Sequence, residues 1–276
     1  MSNIKMIALD LDGTTLTSEK IITPRTQKAL RAAMEKGINV VIATGRVFAA
    51  LPEEILNEEG IEYAVTSNGA VVTRLADNED IYNNCIDVEA AERVIAELRK
   101  IPYMKEIFVG KKAYVEKEIY ENLADWGMTG YSAHYILTTR LPYEGVLDLM
   151  EENKDKIENV NVNFTDMELK MKTWKEFDKI PGVTITSSLA RNIEIGGATT
   201  SKANALAALA EKLGIKEDEI MACGDSHNDK KMLEMAGIAV AMGNADDEVK
   251  QVADFITEDC DHDGVAIAVE KFCLND

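Results

Sequence analysis

Five short apolar runs each stop at a polar loop containing glycine, and this pattern constrains the fold more than any other feature of the chain. Met6-Ile7-Ala8-Leu9 runs into Asp10-Leu11-Asp12-Gly13-Thr14, Asn39-Val40-Val41-Ile42-Ala43 into Thr44-Gly45-Arg46, and Tyr63-Ala64-Val65-Thr66 into Ser67-Asn68-Gly69-Ala70. Late in the chain, 219–223 reaches Gly224-Asp225 and 238–242 reaches Gly243-Asn244-Ala245. Apolar runs of this length, without alternation, read as parallel strands buried on both faces. Helical signals lie between them. Thr23 is a good N-cap with Pro24 in the first helical position, Gly37 follows the last turn, and Leu30, Ala33 and Met34 form the apolar stripe. Further helices are expected over 47–60, over 201–213 with Leu206, Leu209 and Leu213 on one face, and over 265–272, with a last short strand at 254–257. Strands alternating with helices imply an α/β fold, a doubly wound Rossmann-like parallel sheet whose strand ends gather residues remote in sequence along one edge.

The stretch 84–189 has a different texture. Helical segments at 88–99 and 167–177 mix with hairpin-like pieces at 106–116 and 184–195, so it reads as an α+β domain inserted into a core made of 1–83 and 190–276. At 276 residues and 46% hydrophobic, the chain is long enough for two such lobes. A net charge of −19, concentrated outside the insertion, argues against a nucleic-acid partner, because phosphate backbones recruit an excess of Lys and Arg. Cys85, Cys223, Cys260 and Cys273 form no C-x-x-C pair and read as reduced thiols. No run approaches the length of a membrane span, and the first residues carry no signal-peptide pattern. The expectation is a cytoplasmic protein without a membrane partner; oligomeric state leaves no signature.

The chemistry concentrates at the strand ends. Asp10 and Asp12 stand two residues apart where a strand stops, so both side chains leave on the same side before Gly13 turns the chain. Two carboxylates at one spot repel each other unless a cation, a proton or a substrate separates them, and magnesium with a phosphate suits the arrangement. Asp-x-Asp-Gly also opens calcium loops, but an EF-hand requires Glu in its twelfth position, where this chain has Ile21, and an entering helix. Residues 224–229, Gly-Asp-Ser-His-Asn-Asp, add two carboxylates and an amide at the start of the helix containing Met232 and Leu233, where free N–H groups favour an anion. Lys202 opens its own helix and supplies positive charge.

Taken in order, Asp-Leu-Asp-Gly-Thr, Ala-Thr-Gly-Arg, Ser-Asn-Gly-Ala, Ser-Lys and Gly-Asp-Ser-His-Asn-Asp resemble the motifs of the haloacid dehalogenase superfamily. More narrowly, the chain is similar to the Cof-type phosphatases, whose large cap is inserted between the second and third motifs. The resemblance implies that Asp10 is the nucleophile that takes the phosphoryl group as an aspartyl phosphate, and that Asp12 is the general acid and then the base. It implies Mg2+ held by Asp10, the Asp12 backbone carbonyl and Asp225, with Asp229 a further ligand or a supporting carboxylate. Phosphate would be bound by Leu11, Thr44, Gly45, Lys202 and Asn228; Arg46 and Asn68 would assist the substrate or support the site, and Asn244 would support the neighbouring loop.

The implied activity is hydrolysis of a small phosphorylated metabolite, a sugar phosphate or similar monoester, with the cap choosing among substrates. A phosphomutase or phosphotransferase sharing the same intermediate is the alternative. A phospho-accepting receiver domain also pairs acids with Thr, Lys and magnesium, but it carries no insertion. Trp126, Tyr131, His134 and Tyr135 in the insertion either line a pocket or form its core. Ala203 after Lys202, the loop 196–201, His227 and Lys230-Lys231 depart from the family pattern without removing a reactive group.

Overall fold

The structure is a computed structural model and describes residues 4–275. In chain order its strands are β1 (Met6–Leu9), β2 (Asn39–Ala43), β3 (Ile61–Thr66), β4 (Val71–Arg74), β5 (Glu79–Asn83), β6 (Met104–Val109) and β7 (Lys112–Glu116), followed by β8 (Arg140–Tyr143), β9 (Ile157–Asn163), β10 (Val183–Thr186), β11 (Asn192–Gly197), β12 (Ile220–Gly224), β13 (Ile238–Ala241) and β14 (Phe255–Ile256). Among the described residues they form two sheets, ordered β14-β13-β12-β1-β2-β3-β4-β5 and β10-β11-β9-β6-β7-β8. The chain divides accordingly into two compact units. One holds the residues up to Gly45, Pro52–Asn83 and those from Ser201 onward; the other holds Arg46–Leu51 and Asn84–Thr200. No helix among the described residues is long and apolar enough to cross a membrane.

In the first unit β1 is central, parallel to both β2 and β12, and the parallel set extends from β14 to β3. Every residue of β1 and β12 is buried, as expected of strands covered on both faces. Leu9 is in register with Ile42 on one side and Cys223 on the other. The three loops that follow therefore leave the sheet side by side, which is the α/β arrangement read from the sequence. The helix Pro24–Glu35 starts as its punctuation predicts, with Thr23 Oγ1 accepting from the Thr26 amide at 3.1 Å.

Two expectations change here. The helix expected over 47–60 is two short pieces, Phe48–Ala50 and Glu53–Leu56. Pro52 is the reason: it disfavours helical backbone in the residue before it, and Leu51 is extended at φ −68°, ψ 137°. Nor is the sheet parallel throughout, as the sequence had implied. Ser67, Asn68 and Gly69 take φ of 50°, 57° and 98° in succession, which reverses the chain so that β4 returns antiparallel, pairing Val71 with Thr66, and β5 follows it.

In the second unit the helices Val88–Leu98, Val146–Glu152 and Met167–Phe177 contribute to one apolar cluster with Ile107 and Val109 of β6, Val160 and Val162 of β9, and Ile193 and Ile195 of β11. The expected insertion boundary at 189/190 is corrected by β11, which pairs antiparallel with both β9 and β10 and so belongs to this sheet. The unit closes only at Thr200, whose hydroxyl donates to the Asn84 carbonyl at 2.6 Å and ties its two chain ends together. Arg46–Leu51 also joins it: Val47 and Ala50 pack with Phe108 and Ala113, and the Ala49 amide donates to the Lys111 carbonyl at 3.0 Å.

Gly69 carries the reversal after β3 and has no room for a side chain. A Cβ there would lie 2.1 Å from the Ser201 carbonyl oxygen, besides the strain of φ +98°. Gly37, at φ +81°, lies in open space, and a Cβ there would meet nothing within 4 Å. Urea unfolding should show Gly37→Ala losing about 1 kcal/mol, the left-handed strain alone. Gly69→Ala should lose more than about 2 kcal/mol, because the strain and the clash combine. Equal losses for the two variants would contradict this account.

Candidate active site

A lysine removed from solvent organises the site. Lys202, whose side chain is fully buried, donates to Asp10 Oδ1 at 2.6 Å and to Asp229 Oδ1 at 2.7 Å. Its place is set by Ser201, which caps the helix Lys202–Leu213 by accepting from the Asn204 amide at 3.1 Å. Asp10 is set from the other side: its amide donates to the Cys223 carbonyl of β12, and its carbonyl accepts from the Thr15 amide and hydroxyl. Asp229, with no solvent exposure, spends its second oxygen on the amides of Asp225 and Ser226, each at 3.0 Å. It thus holds both the lysine and the turn after β12.

Asp225 completes the cluster. Its Oδ1 accepts from the Thr14 hydroxyl at 2.8 Å and its Oδ2 from the Ser226 hydroxyl at 2.9 Å. Gly13, at φ +85°, must be glycine here, since a Cβ would come 2.6 Å from Asp225 Oδ2. Asp10, Asp225 and Asp229 each present an oxygen within 4.8 Å of the others. Asn228 joins the same edge through Asn68, donating to its Oδ1 at 2.9 Å, and the Asn68 amide donates to the Thr44 carbonyl at 3.1 Å. Leu11 and Thr44 are buried beside them, and Gly45 approaches the Asn68 side chain closely. Asn244 donates to the Gly13 carbonyl and accepts from the Cys260 amide.

Two of the expected site residues stand apart from this cluster. The Asp12 side chain is 41% exposed and pairs with Lys20 at 2.8 Å. Arg46 belongs to the second unit, where it donates to the Ala50 carbonyl and lies over the Tyr135 ring. Of the aromatics in that unit, Trp126 packs against the cluster of Met104 and Val115, while Tyr131 is 52% exposed and stacks on Tyr135. The sequence reading missed Lys20, and it assigned no role to Thr14 or Ser226. Thr14 and Ser226 carried a weak signal, each being a hydroxyl beside a motif aspartate; Lys20 carried none.

With this geometry in view, comparison with known proteins is decisive. The family profile of haloacid dehalogenase-like hydrolases matches residues 7–269. The chain belongs to that family. It is 32% identical over 280 residues to phosphatase YwpJ of Bacillus subtilis, covering 95% of this chain and 98% of the relative. It is also 32% identical over 274 residues to the 5-amino-6-(5-phospho-D-ribitylamino)uracil phosphatase YcsE of the same organism, covering 99% and 97%. A solved haloacid dehalogenase-like hydrolase from B. subtilis superposes with a TM-score of 0.85 at 31% identity, covering 97% of this chain and 99% of that one. This chain is thus a phosphatase of the haloacid dehalogenase-like hydrolases, with their Rossmann-like core.

The electrostatics of this hydrolase site call for a cation. Burial first, and then the Asp229 carboxylate, push the Asp225 carboxyl up to about 6. Burial likewise raises Asp10 well above the usual carboxylate range; Lys202 opposes the rise, and Asp229 and Asp225 add to it. Burial disfavours the Lys202 ammonium, yet Asp10 and Asp229 outweigh it and keep the lysine charged. One buried cation therefore faces three carboxylates, an all-oxygen donor set fitting a hard divalent ion. Asp10 and Asp225 are the better placed to hold it, because both Asp229 oxygens are already committed.

Asp225 binds its proton more tightly folded than unfolded, its ordinary value being 3.8. Its contribution to stability is therefore full below about pH 4, shrinks as pH rises, and is gone above about 6. A divalent ion must displace that proton, so its binding strengthens over the same window. Magnesium should raise the melting temperature more at pH 7.5 than at pH 5 in scanning calorimetry. Equal shifts at the two pH values would remove Asp225 from the metal site.

Proposed function

We propose that this protein hydrolyses phosphate monoesters of small metabolites with Mg2+, by way of a phosphorylated Asp10. The observation that carries the reading is the buried Lys202, bonded at once to Asp10 and Asp229 where the strand ends converge. Phosphoryl transfer requires positioning and neutralisation of oxygens more than covalent ingenuity, and this cluster supplies both.

Asp10 attacks phosphorus: a new oxygen–phosphorus bond forms, the bond to the alcohol oxygen breaks, and Asp12 gives its proton to the departing alkoxide. Asp12 then takes a proton from water as that water attacks the same phosphorus, freeing Asp10 and inorganic phosphate. Asp12 suits the double role because its side chain reaches solvent, 41% exposed, while paired with the half-buried Lys20. Lys202 spends two of its three N–H groups on carboxylates, and the third serves a phosphate oxygen. Leu11, Thr44, Gly45 and Asn228 would supply further phosphate contacts, and Asp10, the Asp12 carbonyl and Asp225 would hold the metal, while Asp229 anchors the lysine. Bound magnesium would neutralise charge on the phosphoryl oxygens. The second unit chooses the alcohol. A relative named for a phosphorylated ribityl compound supports a small, phosphate-bearing metabolite as substrate.

Phosphate release from a panel of monoesters tests the reading. Asp10→Asn should lower turnover by about 10³-fold or more. It should not lower the melting temperature, because it removes a buried charge in excess. Chelation should abolish activity and added magnesium restore it, and fluoroberyllate should inhibit by imitating the aspartyl phosphate. Activity retained by Asp10→Asn would point instead to direct attack by water.

A further inference from the structure

The first unit carries a feature that neither the reactive cluster nor the sheet accounts for, a lysine held in a disfavoured backbone conformation beside Asp12. Lys20 takes φ +64°, in the left-handed region that an L-residue enters only at a cost. Hydrogen bonds close the turn around it. The Lys20 amide donates to the Thr17 carbonyl at 2.9 Å, the Thr17 amide to the Ile21 carbonyl at 2.9 Å, and the Ile21 amide to Thr17 Oγ1 at 3.3 Å. The turn is also tied down from outside. The Ser18 amide donates to Asp261 Oδ1 at 2.8 Å and the Thr23 hydroxyl to Asp263 Oδ1 at 2.5 Å, both just ahead of the helix Gly264–Val269.

So held, the turn presents Lys20 Nζ to Asp12 Oδ1 at 2.8 Å. Stability does not explain the arrangement. The two side chains are 28% and 41% exposed, and an ion pair this open to water adds little. A glycine at position 20 would adopt the same backbone without strain, so the strain accompanies the ammonium and not the turn. Asp12, for its part, stands in crowded company. It lies between Asp10 and Gly13, and Gly13 packs against Asp225, so carboxylates gather at this strand end. Their repulsion would turn an unrestrained Asp12 side chain outward to water.

We propose that Lys20 is a positioning residue for proton transfer, holding the Asp12 carboxylate in the orientation from which its proton reaches the departing oxygen. The proposal rests on the phosphatase reading, in which Asp12 gives that proton and later takes one from water. A carboxylate hands over a proton only across hydrogen-bond distance, so its orientation decides whether the ester oxygen is in reach. Lys20 acts through Asp12, not on the phosphate or the metal. Its effect therefore grows with the leaving oxygen's need for a proton. A basic phenoxide or alkoxide departs poorly without one, whereas nitrophenoxide, whose charge spreads into its ring, departs readily.

The test uses the full chain with magnesium, and phenyl phosphate and p-nitrophenyl phosphate, two esters of similar shape that differ in leaving-group basicity. Their kcat/KM values report the reaction as far as loss of the phenol, the step in which Asp12 gives its proton. For Lys20→Ala, kcat/KM for phenyl phosphate should fall about 10- to 100-fold, and that for p-nitrophenyl phosphate by less than about threefold. Lys20→Arg, which keeps a cation, should recover most of the loss. Lys20→Gly should show the same selective loss yet melt no lower than the unmodified protein, because it relieves the left-handed strain, and it carries the test if Lys20→Ala does not fold. A residue with a structural role alone would lower the melting temperature and both kcat/KM values together. Equal losses on the two esters would make Lys20 a phosphate contact and overturn its positioning role. Turnover by the unmodified chain with the ratio unchanged in the variants, within about threefold, would overturn that role as well and leave the phosphatase intact. Absence of turnover of either ester by the unmodified chain would instead overturn the catalytic reading from which the role of Lys20 follows.

Discussion

The first unit depends on keeping one ammonium charged where no water reaches it. A lysine without solvent exposure is tolerable only if carboxylates compensate its lost hydration, and Asp10 and Asp229 do so at 2.6 and 2.7 Å. The compensation overshoots, because Asp225 adds a third carboxylate to the same cluster. A site with too much negative charge would repel an anionic substrate, and a divalent cation relieves it. The same imbalance explains why burial raises Asp10 and Asp225 while Lys202 remains charged. Stability, metal affinity and reactivity therefore share one electrostatic origin.

Backbone geometry serves that cluster. Asp229 reaches Lys202 because its other oxygen is pinned by the amides of Asp225 and Ser226 just beyond β12. Ser201 reaches its capping position against the reversal at Gly69, where only a glycine fits. The parallel register of β1 with β2 and β12 brings these loops together, although their residues come from opposite ends of the chain.

The second unit solves a different problem with one sheet. Its apolar face is buried by helices in the ordinary way, whereas its other face buries carboxylates and amides that satisfy one another almost completely. The isolated acceptor on Asn159 shows where that network is incomplete.

The sequence alone determined the strand ends, because unbroken apolar runs stopping at glycine-containing acidic loops fit few places other than the edge of a parallel sheet. It also determined the Thr23 cap and the residue types of the reactive cluster. It did not determine the reversal into β4 and β5, which follows from three successive left-handed residues, or the division at Pro52 of the helix expected over 47–60. The hairpin read at 184–195 already set β10 beside β11, but the pairing of β11 with β9, which carries the second unit on past 190, is decided at long range. The alternation Asn159-Val160-Asn161-Val162-Asn163 is visible in the sequence, but period two says only that two faces differ. Tertiary structure decided that both faces are buried, and that Lys20 reaches Asp12. These are contacts between segments whose separation in the chain carries no periodic signal, so only the folded packing selects them.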